Sequence, residues 1–408
     1  MTKNSKQKFN LSLLLVFLVP ILIIALCLVF GNTNKGTRFS SADTNVDWSS
    51  YEEKTIELSE SLTITEPGVY YLSGTIENGK LTVNTSGVVK LVLNNVSIKN
   101  SSGPAIYIIA SKLTTIELAE NSENYLEDGP IYSGYEEQVA ATIYSVDDLA
   151  IEGSGKLVIT GNYEDGIKGK DNIIISGGEL EISVKDDGIH ARDNLVIDGG
   201  IVKILKSCEG LEATNVTING GDISVISSDD GVNAANSDET SFSLEINGGT
   251  LYVDAKGDGL DSNGTITFNG GTVIVDGPSD NGNSAVDSET GIFFNGGDLI
   301  ALGSSGMVDT PRDSSTGNVL SVYLTTSKPS GTKVSLKTFS GETILETTSA
   351  KTFNHLLLAS SKLELGETYI IYIDDEKYEE VTISSNVSTI GSGSMPGGFM
   401  GGDNRRNF

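Results

Sequence analysis

Acidic side chains return at a fixed place in this sequence. Asp165, Asp187, Glu209, Asp230 and Asp258 each stand immediately before a glycine, in the segments EDGI, DDGI, CEGL, DDGV and GDGL, and are mostly 21 or 22 residues apart. Asp186 and Asp229 precede two of them, and Asp261 and Asp287 follow the apolar residue of the same motif in later copies. If successive copies stack about 5 Å apart, neighbouring carboxylates repel by about 3 kcal/mol at an effective dielectric near 20. Such a column must splay into water, take up protons or hold cations. Ca2+ suits it, because it accepts carboxylate, carbonyl and water oxygens at about 2.3 to 2.6 Å in flexible geometry. No EF-hand spacing occurs, so its ligands would converge from successive copies; the alternative is that the acids satisfy corner N–H groups as Asx-turns. Lys168 and His190 fall in the same outward row, with Lys170 and Arg192 two residues further on. These cations could pair with carboxylates of a ligand or balance the neighbouring aspartates.

Only a repeating fold can stack the acids. The segments ISGGELEI, IDGGIVKI, INGGDISV, INGGTLYV, FNGGTVIV and FNGGDLIAL carry Gly-Gly pairs beginning at Gly177, Gly199, Gly220, Gly248, Gly270 and Gly296, in phase with the acidic motif. Between the glycines run short segments of alternating Ile, Leu and Val, which is the period of a strand and not of a helix. One copy cannot bury its apolar row alone, but stacked coils make a continuous core. The pattern predicts an all-β fold: a right-handed parallel β-helix over residues 51–306, with about 22 residues per coil and roughly eleven coils. Gly169, Ala191, Ala213, Ala234, Ser262 and Ser288 should form a tight inward row, and Asn219, Asn247, Asn269 and Asn295 an amide ladder. Residues 307–385 alternate without the 22-residue echo and read as a small β-sandwich-like module. The Gly-rich residues 386–408 read as disordered.

Composition narrows the partners. With 55 acidic against 27 basic side chains the net charge is −28, which disfavours nucleic acid, whose binding needs a basic surface that releases counterions. Two cysteines, Cys27 and Cys208, make no disulfide framework or zinc site. Residues 11–30 are apolar and follow Lys3, Lys6 and Lys8. They are long enough to cross a bilayer, with the N-terminus inside. The expectation is a single-pass anchor that holds the folded part on the extracellular face, or a secreted chain if that segment is cleaved. Residues 1–10 are then cytoplasmic and residues 31–50 a flexible spacer.

The run VDWSSYEEKTIELSESLTITEPGVYYLSGTIENGKLTVNTSGVVKLVLNNVSIKNSSGPAIYI, the DDGI and NGG repeats, the segment KTFNHLLLASSKLELGETYIIYI and the tail MPGGFMGG resemble a bacterial family of exported carbohydrate-binding β-helix proteins. The resemblance implies a pectate-lyase-like fold, calcium, and binding of polygalacturonate (pectin) and cellulose. An acidic protein can hold an acidic sugar if bound Ca2+ inverts the local field and bridges the two sets of carboxylates. The expected function is non-catalytic binding of acidic polysaccharide by a monomer. A calcium-dependent polyuronate lyase, with Lys168, Lys170 or Arg192 as base, and a structural adhesin are the alternatives. Tyr132, Tyr135, Tyr144 and Tyr163 could form a local aromatic patch.

Overall fold

A computed structural model describes residues 39–392, apart from positions 41, 137 and 238. The segment expected to cross the membrane, Cys27 within it, and residues 393–408 lie outside the described residues. Among those described, no helix is long and apolar enough to cross a bilayer.

The chain winds as a parallel β-helix of about ten turns. Each coil contributes strands to three faces. The first face is a ladder of eleven strands from Glu53–Leu58 to Gly291–Phe294. The second holds ten, from Leu62–Ile64 to Val286–Ser288. The third also holds ten, from the end of Gly68–Ile76 to Asp298–Gly303. Alternation within each strand sends one set of side chains inward, so that Ile173, Ile175, Leu195, Ile197, Val216 and Ile218 stack coil upon coil in a closed core. Burying each such side chain contributes about 1.5 to 3 kcal/mol. Ala191, Ala213, Ala234, Ser262 and Ser288 are buried as expected, in register with Gly169.

The Gly-Gly corners join the first face to the third. Gly271 has φ +80°, and a Cβ there would lie 2.8 Å from the Gly249 carbonyl oxygen of the preceding coil, so both conformation and space demand glycine. Beside these corners the amide ladder forms. Asn247 donates to Asn219 at 2.8 Å, Asn269 to Asn247 at 2.8 Å, and Asn295 to Asn269 at 3.0 Å, while Asn219 itself donates to Asp198 at 2.7 Å.

Beyond the last coil the pairing changes sense. Phe353–Ser360 lies antiparallel to Asp298–Gly303 and also to Asn318–Lys328, which in turn pairs with Val387–Ile390. A separate antiparallel sheet is ordered Thr343–Thr348, Lys333–Thr338, Thr368–Ile373, Glu376–Thr382. Leu320, Val322, Leu336, Leu356, Leu358 and Ile371 fill the space between the two layers. This is the β-sandwich-like module, and its final strand runs to Ile390, past the expected boundary at 385.

Candidate functional site

The corner between the third and second faces carries the acidic motif. Backbone N–H groups of Gly166, Gly188, Gly210, Gly231 and Gly259 donate to the carbonyls of Asp187, Glu209, Asp230, Asp258 and Ser284 in the following coil, which aligns the corner acids in one column. Three of their carboxylates also satisfy main chain: Asp165 accepts the N–H of Asp187 at 3.2 Å, Asp230 that of Asp258 at 2.6 Å, and Asp258 that of Ser284. These bonds run to the next coil and not two residues along the chain, so they are not Asx-turns, and they leave further carboxylate oxygens for other partners. Alongside, on the second face, runs the outward row Tyr107, Tyr144, Lys168, His190, Glu212, Asn233, Asp261, Asp287, one residue per coil.

The two rows meet in three clusters whose ligand atoms lie within 4.8 Å of one another: Asp165, Asp187 and His190; Asp187, Glu209 and Glu212; Asp258, Asp261 and Asp287. The first contains its own cations. Lys168 Nζ donates to the fully buried Asp165 carboxylate at 2.6 Å, and His190 Nδ1 lies 2.9 Å from Asp187. Burial alone would lower the Lys168 pKa, but the carboxylates of Asp165, Asp187 and Glu164 hold it above its usual value. The second cluster shares His190, whose Nδ1 also lies 3.7 Å from Glu212, whereas the third consists of carboxylates alone. Burial, then the charges of Asp187 and Glu209, push Glu212 far above the ordinary carboxylate range. Burial, then Asp230, Asp258 and Asp287, push Asp261 up to about 7.

The aromatic residues at the other end of the row pack on one another. Tyr132 stacks on Tyr163 with ring centroids 4.5 Å apart, Tyr135 bridges Tyr132 and Tyr107 at 5.6 Å each, and Tyr144 beneath them is buried. The Tyr132 hydroxyl donates to the buried Asp128 carboxylate at 2.8 Å and so holds Tyr132 against the coil. The expected patch exists, with Tyr107 added, as a packed cluster.

The family described as carbohydrate-binding domain-containing protein matches residues 59–303, well over half of the chain and nearly all of the β-helix. The chain belongs to that family. A carbohydrate-binding domain-containing protein of Acetivibrio thermocellus is 34% identical over 143 residues, which are 34% of this chain and 48% of the relative. The chain thus spans about half the length of the curated relative it matches. A solved structure, the polysaccharide lyase-like protein from C. thermocellum as a gadolinium derivative, is 28% identical with a TM-score of 0.46, over 59% of this chain and 96% of that one.

Within this carbohydrate-binding domain the residues singled out by sequence divide unevenly. Asp165, Asp187, Glu209, Asp258, Asp261, Asp287 and His190 join the clusters. Asp186, Asp229 and Asp230 stand outside all three, Asp229 being exposed. Lys170 is half-buried and Arg192 exposed, each at the end of its second-face strand. Glu212 was not anticipated, although it holds the same offset from its glycine as Lys168, His190 and Asp261. His355 is buried where the module meets the last coil, 2.9 Å from the Ser321 hydroxyl, and shares a small cavity with Ser284, Val286 and Asp309.

The raised acids have a consequence for stability. A carboxyl with a raised folded-state pKa binds its proton more tightly in the folded chain, so its contribution is complete below the unfolded value of 3.8. It is lost as the pH rises through about 6 for Asp230 and Asp258 and about 7 for Asp261. His355, pushed down to about 4 by burial, acts oppositely, its contribution being lost as the pH falls from 6.5 toward 4. Three acids outweigh one imidazole. In chelator the melting temperature is expected to fall between pH 5 and pH 7.5; circular dichroism melts that rise steadily over that interval would contradict this.

Proposed function

We propose that this chain is a non-catalytic polysaccharide-binding protein that holds acidic glycan, such as polygalacturonate, through calcium at the acidic column. Family membership supports the carbohydrate. The observation that carries the mode of binding is the meeting of Asp258, Asp261 and Asp287, where the charges acting on Asp261 are three further carboxylates. At neutral pH such a group needs protons or a cation, and its oxygen-only donors fit a hard divalent ion. Asp258, Asp261 and Asp287 would hold one Ca2+, and Asp187, Glu209 and Glu212 are the second candidate set. The bound ion would present positive charge to a uronate carboxylate.

Lys168 and His190 border the acidic end of the row and can contact the sugar carboxylates next to the bridged ones. The chemistry of elimination is poorly served. Lys168 is held as an ammonium on Asp165, so it has no lone pair with which to remove a proton. Anchoring through residues 11–30 would place the binding face outside the cell.

Retention of the protein on immobilised polygalacturonate, with and without chelator, tests the reading. Calcium-dependent retention with no ultraviolet-absorbing unsaturated product is expected. Release of that product would establish a lyase instead, and chelator-insensitive retention would remove calcium from the mechanism.

A further inference from the structure

The third face carries a feature apart from the acidic column. Over its early coils, a groove of about 390 Å3 opens around Tyr125, a volume within the range of about 300 to 1,000 Å3 found for small-ligand sites. Tyr125 lies in the outward register Thr75, Ser97, Tyr125, Val158 and is 45% exposed, whereas the tyrosines of the second face are packed against one another. Hydroxyls of Thr75, Ser97 and Thr160 line the groove on either side of the ring. Its charges largely cancel: Lys99 pairs with Glu127 at 2.8 Å, leaving Glu77. None of these residues belongs to a group of acids close enough to share a cation.

We propose that this groove is a second glycan site, independent of metal, that takes an uncharged sugar chain. An exposed aromatic face in a concave wall buries the C–H face of a pyranose, and flanking hydroxyls exchange hydrogen bonds with the ring hydroxyls. The residual negative charge disfavours a uronate, and without a cation cluster nothing on this face reverses that preference. The Lys99–Glu127 pair offers both a charged donor and a charged acceptor, which a polyhydroxylated neutral ligand can use together.

Calorimetric titration of the full chain in chelator, with uncharged glucose-, mannose- and xylose-based pentasaccharides as probes, tests the proposal. At least one is expected to bind with an affinity unchanged by calcium. Tyr125→Ala should weaken it about tenfold or more, and Tyr125→Phe, which keeps the ring, should restore it. Failure of all three probes to bind, equal binding by Tyr125→Ala, or loss of binding in Tyr125→Phe as well would overturn the assignment. If the acidic column does not bind calcium, polygalacturonate retention fails while Tyr125-dependent binding persists, so the two readings fail separately.

Discussion

Asp261→Asn is expected to lower calcium affinity by about 100-fold and to abolish calcium-dependent retention on polygalacturonate. Asp261 stands where the strand row approaches the corner row, and with Asp258 and Asp287 it supplies one of three converging carboxylates. An amide of the same shape keeps the fold but removes a full negative charge from the donor set. The substitution should also act in the opposite sense on the metal-free protein. Because burial and three neighbouring acids lift the Asp261 carboxyl to about 7, replacing it relieves repulsion, and the variant should melt above the parent at pH 7.5 in chelator. Calcium titration by calorimetry and melts with and without chelator measure both effects. Asp222→Asn, at an exposed position on the third face outside the clusters, is the control and should change neither. An Asp261→Asn protein that binds calcium as the parent does would end the assignment of this cluster as a cation site.

Lys168→Met should destabilise the β-helix by about 3 kcal/mol at pH 8, because it leaves the Asp165 carboxylate buried without its counter-charge. Methionine keeps much of the stem packing, so the loss reports on charge. Asp165 already has its pKa pushed up to about 6, by burial and then by Asp187, with Lys168 pulling it back. Without Lys168 it will take a proton at still higher pH, so the deficit should shrink markedly by pH 5. The double substitution Lys168→Met with Asp165→Asn should recover most of the stability, since neither charge is then stranded. Thermal melts of the two single variants and the double variant at both pH values decide the matter. An unchanged melting temperature for Lys168→Met at pH 8 would show that the ion pair contributes nothing.

The parts of this fold that could be read from sequence are those repeated once per coil. Gly-Gly corners, alternating aliphatic rows, the asparagine ladder and the corner acids each recur at the period of the solenoid, and stacking turns recurrence in sequence into contact in space. Glu212 escaped because its row changes residue type from coil to coil, Lys168 to His190 to Glu212 to Asn233 to Asp261, and only the shared offset from the glycine marks it. The other unforeseen features are non-repetitive. Asp128 holds Tyr132 against the coil, and Tyr107 meets Tyr135 across 28 residues, contacts with no periodic signature. The antiparallel pairing of Asp298–Gly303 with Phe353–Ser360 joins segments more than 50 residues apart and likewise leaves no trace in local pattern.

That last pairing bears on how the molecules behave when crowded together. A solenoid whose terminal rung kept its main-chain donors and acceptors bare could recruit the first rung of another copy, and repetition of that event gives a filament, as any head-to-tail association without closure does. Here the reversed strand Phe353–Ser360 occupies the hydrogen-bonding positions of Asp298–Gly303 and runs in a direction that an incoming parallel rung cannot match. Continued winding through the third face is thereby blocked at this end, which works against end-on fibre growth at high concentration.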